Sequence, residues 1–293
     1  MMVGAPSHRM DKVALLPRLT GPRAILSIGI IAAIPLLGGS ASAAESAATR
    51  ITDLGYDVYV GGLHVFAFEV EMRLAPDRYR VTAAGETQGM VGWVASWNLN
   101  LAAEGFERDG RILPQRYVAQ SEWQSRARKT ELGFQPDGSY TLTQTPPPEP
   151  DPDIEGGLPA MLPQDTMDPL SFALIASRAL EKSGRCDQTV PVFDGQRRSD
   201  AIVRQVGPEV LPPNDYSIYQ GPATRCSLSI KRISGFRKSL RSRGEDVGAP
   251  PTLWMASLRP DLPPIPVRYE GEIKLGKIVV HLTRAEFRTD PTP

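Results

Sequence analysis

The chain has 293 residues, and its 33 basic side chains are matched by 33 acidic ones. This balance argues against a nucleic-acid-binding protein, which usually carries a basic excess. Hydrophobic residues make up 41% of the chain, and 28 prolines and 26 glycines are spread along it, so one large β domain with many turns is allowed.

Residues 1–43 show the order of features typical of a secretion signal. Four basic residues between positions 9 and 23 precede an uncharged apolar run from 24 to 39, and Ala41-Ser42-Ala43 follows as a cleavage site. The run is shorter than the roughly 20 residues that a membrane-spanning helix needs. We therefore expect cleavage after Ala43 and a slightly acidic mature domain, 44–293, in the periplasm. A retained N-terminal membrane anchor is the alternative.

A period of two begins near residue 54 and predicts antiparallel strands. Phe66, Phe68 and Val70 alternate with polar or small residues, and Gly61-Gly62 before them is typical of a tight hairpin. Asp109-Gly110 and Asp137-Gly138 indicate further turns. The strands expected after this hairpin are 91–107, 112–126, 129–135 and 139–144.

The stretch 144–166 is rich in proline and acidic residues and predicts an extended surface loop, since proline cannot donate to a strand ladder. Asp151, Asp153 and Glu155 have the spacing of calcium ligands, but the intervening prolines disfavour the turn that calcium requires. We favour a solvated acidic loop over a metal site.

Asp168-Pro169 predicts a helix start, with Asp168 as the N-cap, and Gly184 suits the end of the helix. The segment 168–183 is mostly apolar and should be buried against the sheet. Asp165 and Asp168 could form a carboxylate pair, but Asp168 is better explained as the cap. Later strands are expected at 188–194, 198–207, 216–221, 224–233, 252–258, 265–272 and 277–287, with a bulge or tight turn at Gly276.

The chain has only two cysteines, Cys186 and Cys226. An exported chain with a small, even number of cysteines usually oxidises them, so we predict a Cys186–Cys226 disulfide. Two buried free thiols and a metal pair are the alternatives. Metal is disfavoured because His64 and His281 are not at ligand spacing from either cysteine.

No catalytic motif is present, and a histidine within a strand, such as His64 or His281, is more often structural than catalytic. We therefore predict no enzyme activity and no cofactor. Two clusters remain as candidate sites. Four aromatic residues form either core or the lining of an acyl-chain cavity: Trp93, Trp97, Phe106 and Trp123. Five basic residues form either a solvated loop or a patch for an anionic partner: Arg232, Arg237, Lys238, Arg241 and Arg243.

Several segments resemble the bacterial exported family DUF3108, whose function is unknown. They are the run from Tyr56 to Phe68, Asp168-Pro169-Leu170-Ser171, Gly184 to Asp187, Phe193 to Arg198, Tyr219 to Cys226, and Pro266 to Tyr269 with Gly276 and Leu282. The resemblance spans nearly the whole mature chain and brings no known reaction. By looser analogy with lipoprotein carriers, it implies a mainly β fold in which a large curved antiparallel sheet, like a half-barrel, packs against one main helix.

These features predict an envelope protein that binds a lipid-like or apolar ligand without catalysis. The alternative is an interaction or scaffold protein for envelope integrity, with a packed core and no ligand. A hydrolase of unrecognised type is the third reading. The expected partners are a lipid or an envelope protein, with no nucleic acid and no transmembrane span after cleavage.

Overall fold

The computed structural model describes residues 48–238 and 249–290. The predicted secretion signal, residues 1–43, lies outside the described residues. Strands dominate the described part: β1 (Thr49–Val60), β2 (Leu63–Leu74), β3 (Arg78–Thr87), β4 (Trp97–Arg108), β5 (Arg111–Trp123), β6 (Arg126–Phe134), β7 (Tyr140–Thr145), β8 (Ile154–Glu155), β9 (Gln188–Phe193), β10 (Arg198–Leu211), β11 (Gly221–Ser234), β12 (Phe236–Arg237), β13 (Thr252–Ala256), β14 (Ile265–Ile273) and β15 (Gly276–Asp290). The helices are α1 (Gly89–Val94) and α2 (Pro169–Ser183).

One antiparallel sheet of 13 strands contains most of the described residues. Its order is β7-β6-β5-β4-β3-β2-β1-β15-β14-β13-β11-β10-β9, so most neighbours in the sheet are also neighbours in the chain. Gly61 and Gly62 both have positive φ in the turn between β1 and β2, which glycine allows without strain. The prediction of a mainly β fold with a large antiparallel sheet is confirmed.

Helix α2 begins and ends where the sequence predicts. The Asp168 carboxylate accepts hydrogen bonds from the backbone N–H groups of Leu170 and Ser171, which satisfies two amides that a helix start leaves free. Gly184 ends the helix in the left-handed conformation, with φ of 68°. The helix buries Leu174 among side chains of β2, β3, β5 and β9. It therefore packs on the inner face of the sheet, as predicted.

The two edge strands of the sheet meet through side chains. Phe193 at the end of β9 packs edge-on against Tyr140 at the start of β7, with ring centroids 5.3 Å apart. Met167 forms backbone hydrogen bonds with the outer edge of β9: its N–H donates to Pro191 O, and its carbonyl accepts from Phe193 N–H. The sheet is thus open in its hydrogen bonding, and a hydrophobic cluster fills the gap between its edges.

The disulfide prediction is confirmed. Cys186, between α2 and β9, is bonded to Cys226 in β11, and both residues are buried. The bond ties the connection that follows α2 to the sheet, across 40 residues of sequence.

Two local predictions were wrong. The strand expected at 91–107 starts only at Trp97, because Gly89 has a φ of 59° and the next residues form α1. Residues 216–220 form a loop whose Ile218 N–H donates to Leu282 O, so the strand begins at Gly221. The tight turn expected at Gly276 is confirmed, because Ile273 pairs with Gly276 across the β14–β15 turn. Among the described residues, no helix combines the length and apolarity needed to cross a bilayer.

Candidate functional site

Four connections lie side by side at one end of the sheet, and we call them the rim: 61–62, 88–96, 124–125 and 274–275. Since β14, β15 and β1 to β6 are consecutive antiparallel neighbours, these connections leave the sheet at the same end. Backbone hydrogen bonds link them: Gly61 N–H donates to Lys277 O, Gln88 N–H to Val65 O, and Gln124 N–H to Ser96 O, each at 3.0 Å.

The rim presents large apolar side chains to solvent. Trp93 is 89% exposed, Leu275 82% and Val94 78%, and none of the six residues of α1 is buried. The other exposed apolar residues on or beside the rim are Leu63, Met90 and Trp123. Single exposed apolar residues are ordinary on protein surfaces, but a contiguous group of them marks an interaction surface.

The charges at the rim are cationic. The four connections contain no acidic residue, and Lys274 is their one charged residue. Arg126 and Arg128 follow directly in β6; both are exposed, and neither has an ion-pair partner within the described part of the chain. The acids nearest in sequence, Glu86, Glu122 and Glu272, lie within the strands rather than in the turns.

An aromatic row runs along the inner face of the sheet from the core towards the rim. Tyr56 stacks on Phe68 at 4.9 Å between centroids, Phe68 lies 6.5 Å from Phe66, and Phe66 lies 5.1 Å from Trp97. Tyr56 is buried, which raises the pKa of its hydroxyl, whereas the other three are half-buried. Trp97 is paired across the strands with Trp123 on the rim.

The four aromatic residues named from the sequence are not brought together as one group. Trp97 and Trp123 are cross-strand partners, but Phe106 lies at the other end of β4, where the guanidinium of Arg108 is 4.1 Å from its ring centroid. The core interpretation is wrong for Trp93, which is 89% exposed among the described residues, on a helix none of whose residues is buried. The four residues also do not line one cavity, because Phe106 lies at the opposite end of β4 from Trp97 and Trp123.

A hollow of about 960 Å³ lies across β15, β1 and β2 to β7, and most of the residues that line it are polar or charged. The strand registers place Asn100 beside Gln120 and Asn98 beside Glu122 on the same face. Small residues such as Ala84 and Ala67 create the depression. This lining does not suit an acyl chain, and none of the four tryptophans contributes to it.

His64 and His281 come together around Tyr59. The Tyr59 ring lies 5.1 Å from His64 and 6.0 Å from His281, and Tyr216 stacks on His281 at 5.6 Å. His64 Nε2 is 3.3 Å from Asp57 Oδ1, an ion-pair distance without hydrogen-bond geometry. Burial, and then the nearby Arg268, lower the pKa of His281, so its ring is mainly neutral near pH 7. No serine, threonine or cysteine side chain takes part in these ring contacts or in this ion pair.

The predicted basic patch contacts the acidic loop. Arg237 is 2.8 Å from the Asp151 carboxylate, and Lys238 N–H donates to Asp153 O. Arg232 lies over the ring of Phe236, while Arg241 and Arg243 lie outside the described residues. Among residues 48–238 and 249–290 no group of three His, Cys, Asp or Glu residues is placed to hold a metal ion. Arg237 and Lys238 of the patch therefore bind the chain's own acidic loop.

A buried polar network surrounds the start of α2, and the sequence analysis recognised only its capping part. Ser171 Oγ–H donates to the second carboxylate oxygen of Asp168 at 2.5 Å and lies 2.6 Å from the Tyr79 hydroxyl. Burial raises the pKa of Asp168 to about 6. Burial, and then the Asp168 carboxylate, raise the pKa of Tyr79, which stays neutral. The network positions the helix on the sheet.

Comparisons with known proteins identify the family but supply no activity. The family model described as "Protein of unknown function (DUF3108)" matches residues 55–283. No curated protein matches the chain. A solved structure described as a β-barrel-like protein of domain of unknown function DUF1849 from Brucella abortus is similar at 11% identity and a TM-score of 0.46, over 83% of this chain and 98% of that one.

Proposed function

Because the chain belongs to the DUF3108 family of unknown function, we propose its role from its own surface: a non-enzymatic interaction protein of the cell envelope that acts through the rim. In this proposal the protein is exported by its N-terminal signal, cleaved after Ala43, and works in the periplasm. The buried disulfide supports an oxidising compartment, where such bonds persist.

The observation that carries the proposal is the exposure of the rim in a molecule whose interior is otherwise filled. Helix α2 covers the inner face of the sheet at β2, β3, β5 and β9, and the many charged and amide side chains that line the hollow do not suit an apolar ligand. The rim, in contrast, keeps Trp93, Val94 and Leu275 in water. Keeping such side chains exposed costs free energy unless a partner covers them, at about 25 cal/mol per Å² of apolar surface.

The aromatic row favours a second candidate, binding of a lipid-like ligand at the rim end of the inner face. Phe66, Phe68 and Trp97 are half-buried and continuous, so they could contact one acyl chain. Native mass spectrometry of protein purified from its own envelope tests this candidate, which predicts co-purifying acyl species that Phe66→Ser removes.

The proposed function is tested by the retention of the protein in the envelope fraction. The Trp93→Ser/Val94→Ser double variant should be released by osmotic shock more completely than the wild type, because it lacks the apolar contacts of α1. Val210→Ser is the matched control, since Val210 is 72% exposed in β10 and lies outside the rim. Equal release of wild type and double variant would overturn the proposal.

A further inference from the structure

We infer that the partner of the rim is an anionic lipid bilayer surface, into which the tips of the rim insert. This inference rests on the proposed function and specifies its partner. Its first support is the shape of the surface. The apolar residues lie on separate turns and on α1, at the ends of strands, rather than on a flat sheet face. Side chains on projecting turns can all enter the headgroup layer together, with their strands still in water.

The residue types also suit a membrane interface. Tryptophan is enriched at the level of the lipid headgroups, and Trp93, with 89% of its surface exposed, is in position to occupy it. Met90 and Val94 on the same short helix, and Leu275 on the β14–β15 turn, provide purely apolar surface beside it. Such residues enter the boundary between headgroups and acyl chains by about 5–10 Å.

Charge complementarity selects an anionic surface. Lys274 lies between apolar residues in its turn, and Arg126 and Arg128 adjoin the rim turn of β5 and β6 without ion-pair partners in the described chain. A basic residue near an anionic bilayer strengthens binding by about fivefold. The acids Glu86, Glu122 and Glu272 oppose this attraction, but each lies in a strand two residues from its connection, whereas Lys274 lies in a turn and Arg126 directly follows one.

The rim offers less to a folded protein partner. The centre of a protein–protein interface usually packs aromatic anchors into pockets, within a continuous patch ringed by polar residues. The rim residues instead form a row along four adjacent connections. A fluid surface can accommodate such a row without matching its shape, so the bilayer is the partner that these observations favour.

Vesicle co-sedimentation of the exported, purified protein tests the inference. We expect the wild type to bind vesicles of phosphatidylglycerol and phosphatidylethanolamine, and to bind phosphatidylcholine vesicles more weakly. Trp93→Ser/Val94→Ser should weaken binding to both by at least about tenfold. Arg126→Gln/Arg128→Gln should weaken only the binding to anionic vesicles, and Val210→Ser should bind like the wild type.

Tryptophan fluorescence of the unmodified protein provides a readout that needs no variant. Brominated lipids should quench the emission on binding, because Trp93 would lie in the headgroup layer. Absence of vesicle binding by the wild type, or equal binding by the Trp93→Ser/Val94→Ser variant, would overturn the inference. If vesicles do not bind but the rim variant is still released from the envelope, the partner is a protein and the proposed function stands. If the variant is retained in the envelope as well, both proposals fail.

Discussion

The two ends of the sheet are built on opposite principles. At the rim, the connections carry exposed apolar side chains and Lys274. At the other end, polar contacts hold the connections: Ser139 N–H donates to the Asp137 carboxylate, and Arg178 of α2 pairs with Glu107 at 2.8 Å. Helix α2 also begins among buried polar groups on the inner face. The contrast teaches that stability and recognition are separated in this molecule. Side chains at one end contact other parts of the chain, whereas those at the rim are exposed to solvent.

The largest expected effect tests the stabilised region through its disulfide. Reducing the bond, or the Cys186→Ser/Cys226→Ser change, should lower the free energy of unfolding by about 4 kcal/mol in the chain-entropy model for a loop of 40 residues. Urea denaturation with and without reductant measures this change. A loss below about 1 kcal/mol would show that the bond does not constrain the unfolded chain as this model requires.

A second effect depends on pH and concerns Asp168. Its folded pKa, about 6, lies above its ordinary value of 3.8, so between these values the folded protein holds a proton that the unfolded chain has lost. The free energy of unfolding should therefore fall, by up to about 3 kcal/mol, as pH rises from roughly 4 to 6. Asp168→Asn keeps a capping acceptor and should flatten this slope in urea titrations at several pH values. An unchanged slope would assign the pH dependence to other groups.

The smallest effect is expected at the rim. Met90→Ser and Trp93→Ser should each change the free energy of unfolding by less than about 0.5 kcal/mol, because these side chains contact mainly solvent. Thermal unfolding followed by circular dichroism measures the change, with Leu174→Ala as the buried comparison, for which a loss of about 2–5 kcal/mol is expected. A rim variant as destabilised as Leu174→Ala would remove the separation between the two regions.

The parts of this fold that depend on local chemistry could be predicted from the sequence. The caps of α2, the Gly61-Gly62 hairpin and the period-two strands depend on neighbouring residues, so they were predicted within a few positions. The α1 turn was missed because apolar residues at 91–97 satisfy a strand pattern as well as a short helix, and only the positive φ at Gly89 separates the two. The 216–220 loop was missed because its partner, Leu282, is distant in sequence.

The rim could have been suspected from the sequence but not located in it. Gly61-Gly62-Leu63, Met90 to Val94 and Leu275-Gly276 each place a large apolar residue within or beside a turn, where polar residues are usual. Whether such turns lie at the same end of a sheet depends on strand order. The Asp168–Ser171–Tyr79 network was equally hidden, because Tyr79 is 92 residues away from Ser171.

The way the two edge strands end has a consequence for solubility. An unpaired strand edge is a template on which further copies of a chain can add and aggregate. Here Met167 takes up backbone groups of β9, and the free run of β7 is short, packed through Tyr140 and followed by three prolines that cannot extend a ladder. Both edges of this sheet therefore hinder the addition of further strands through the backbone, and association is left to side chains.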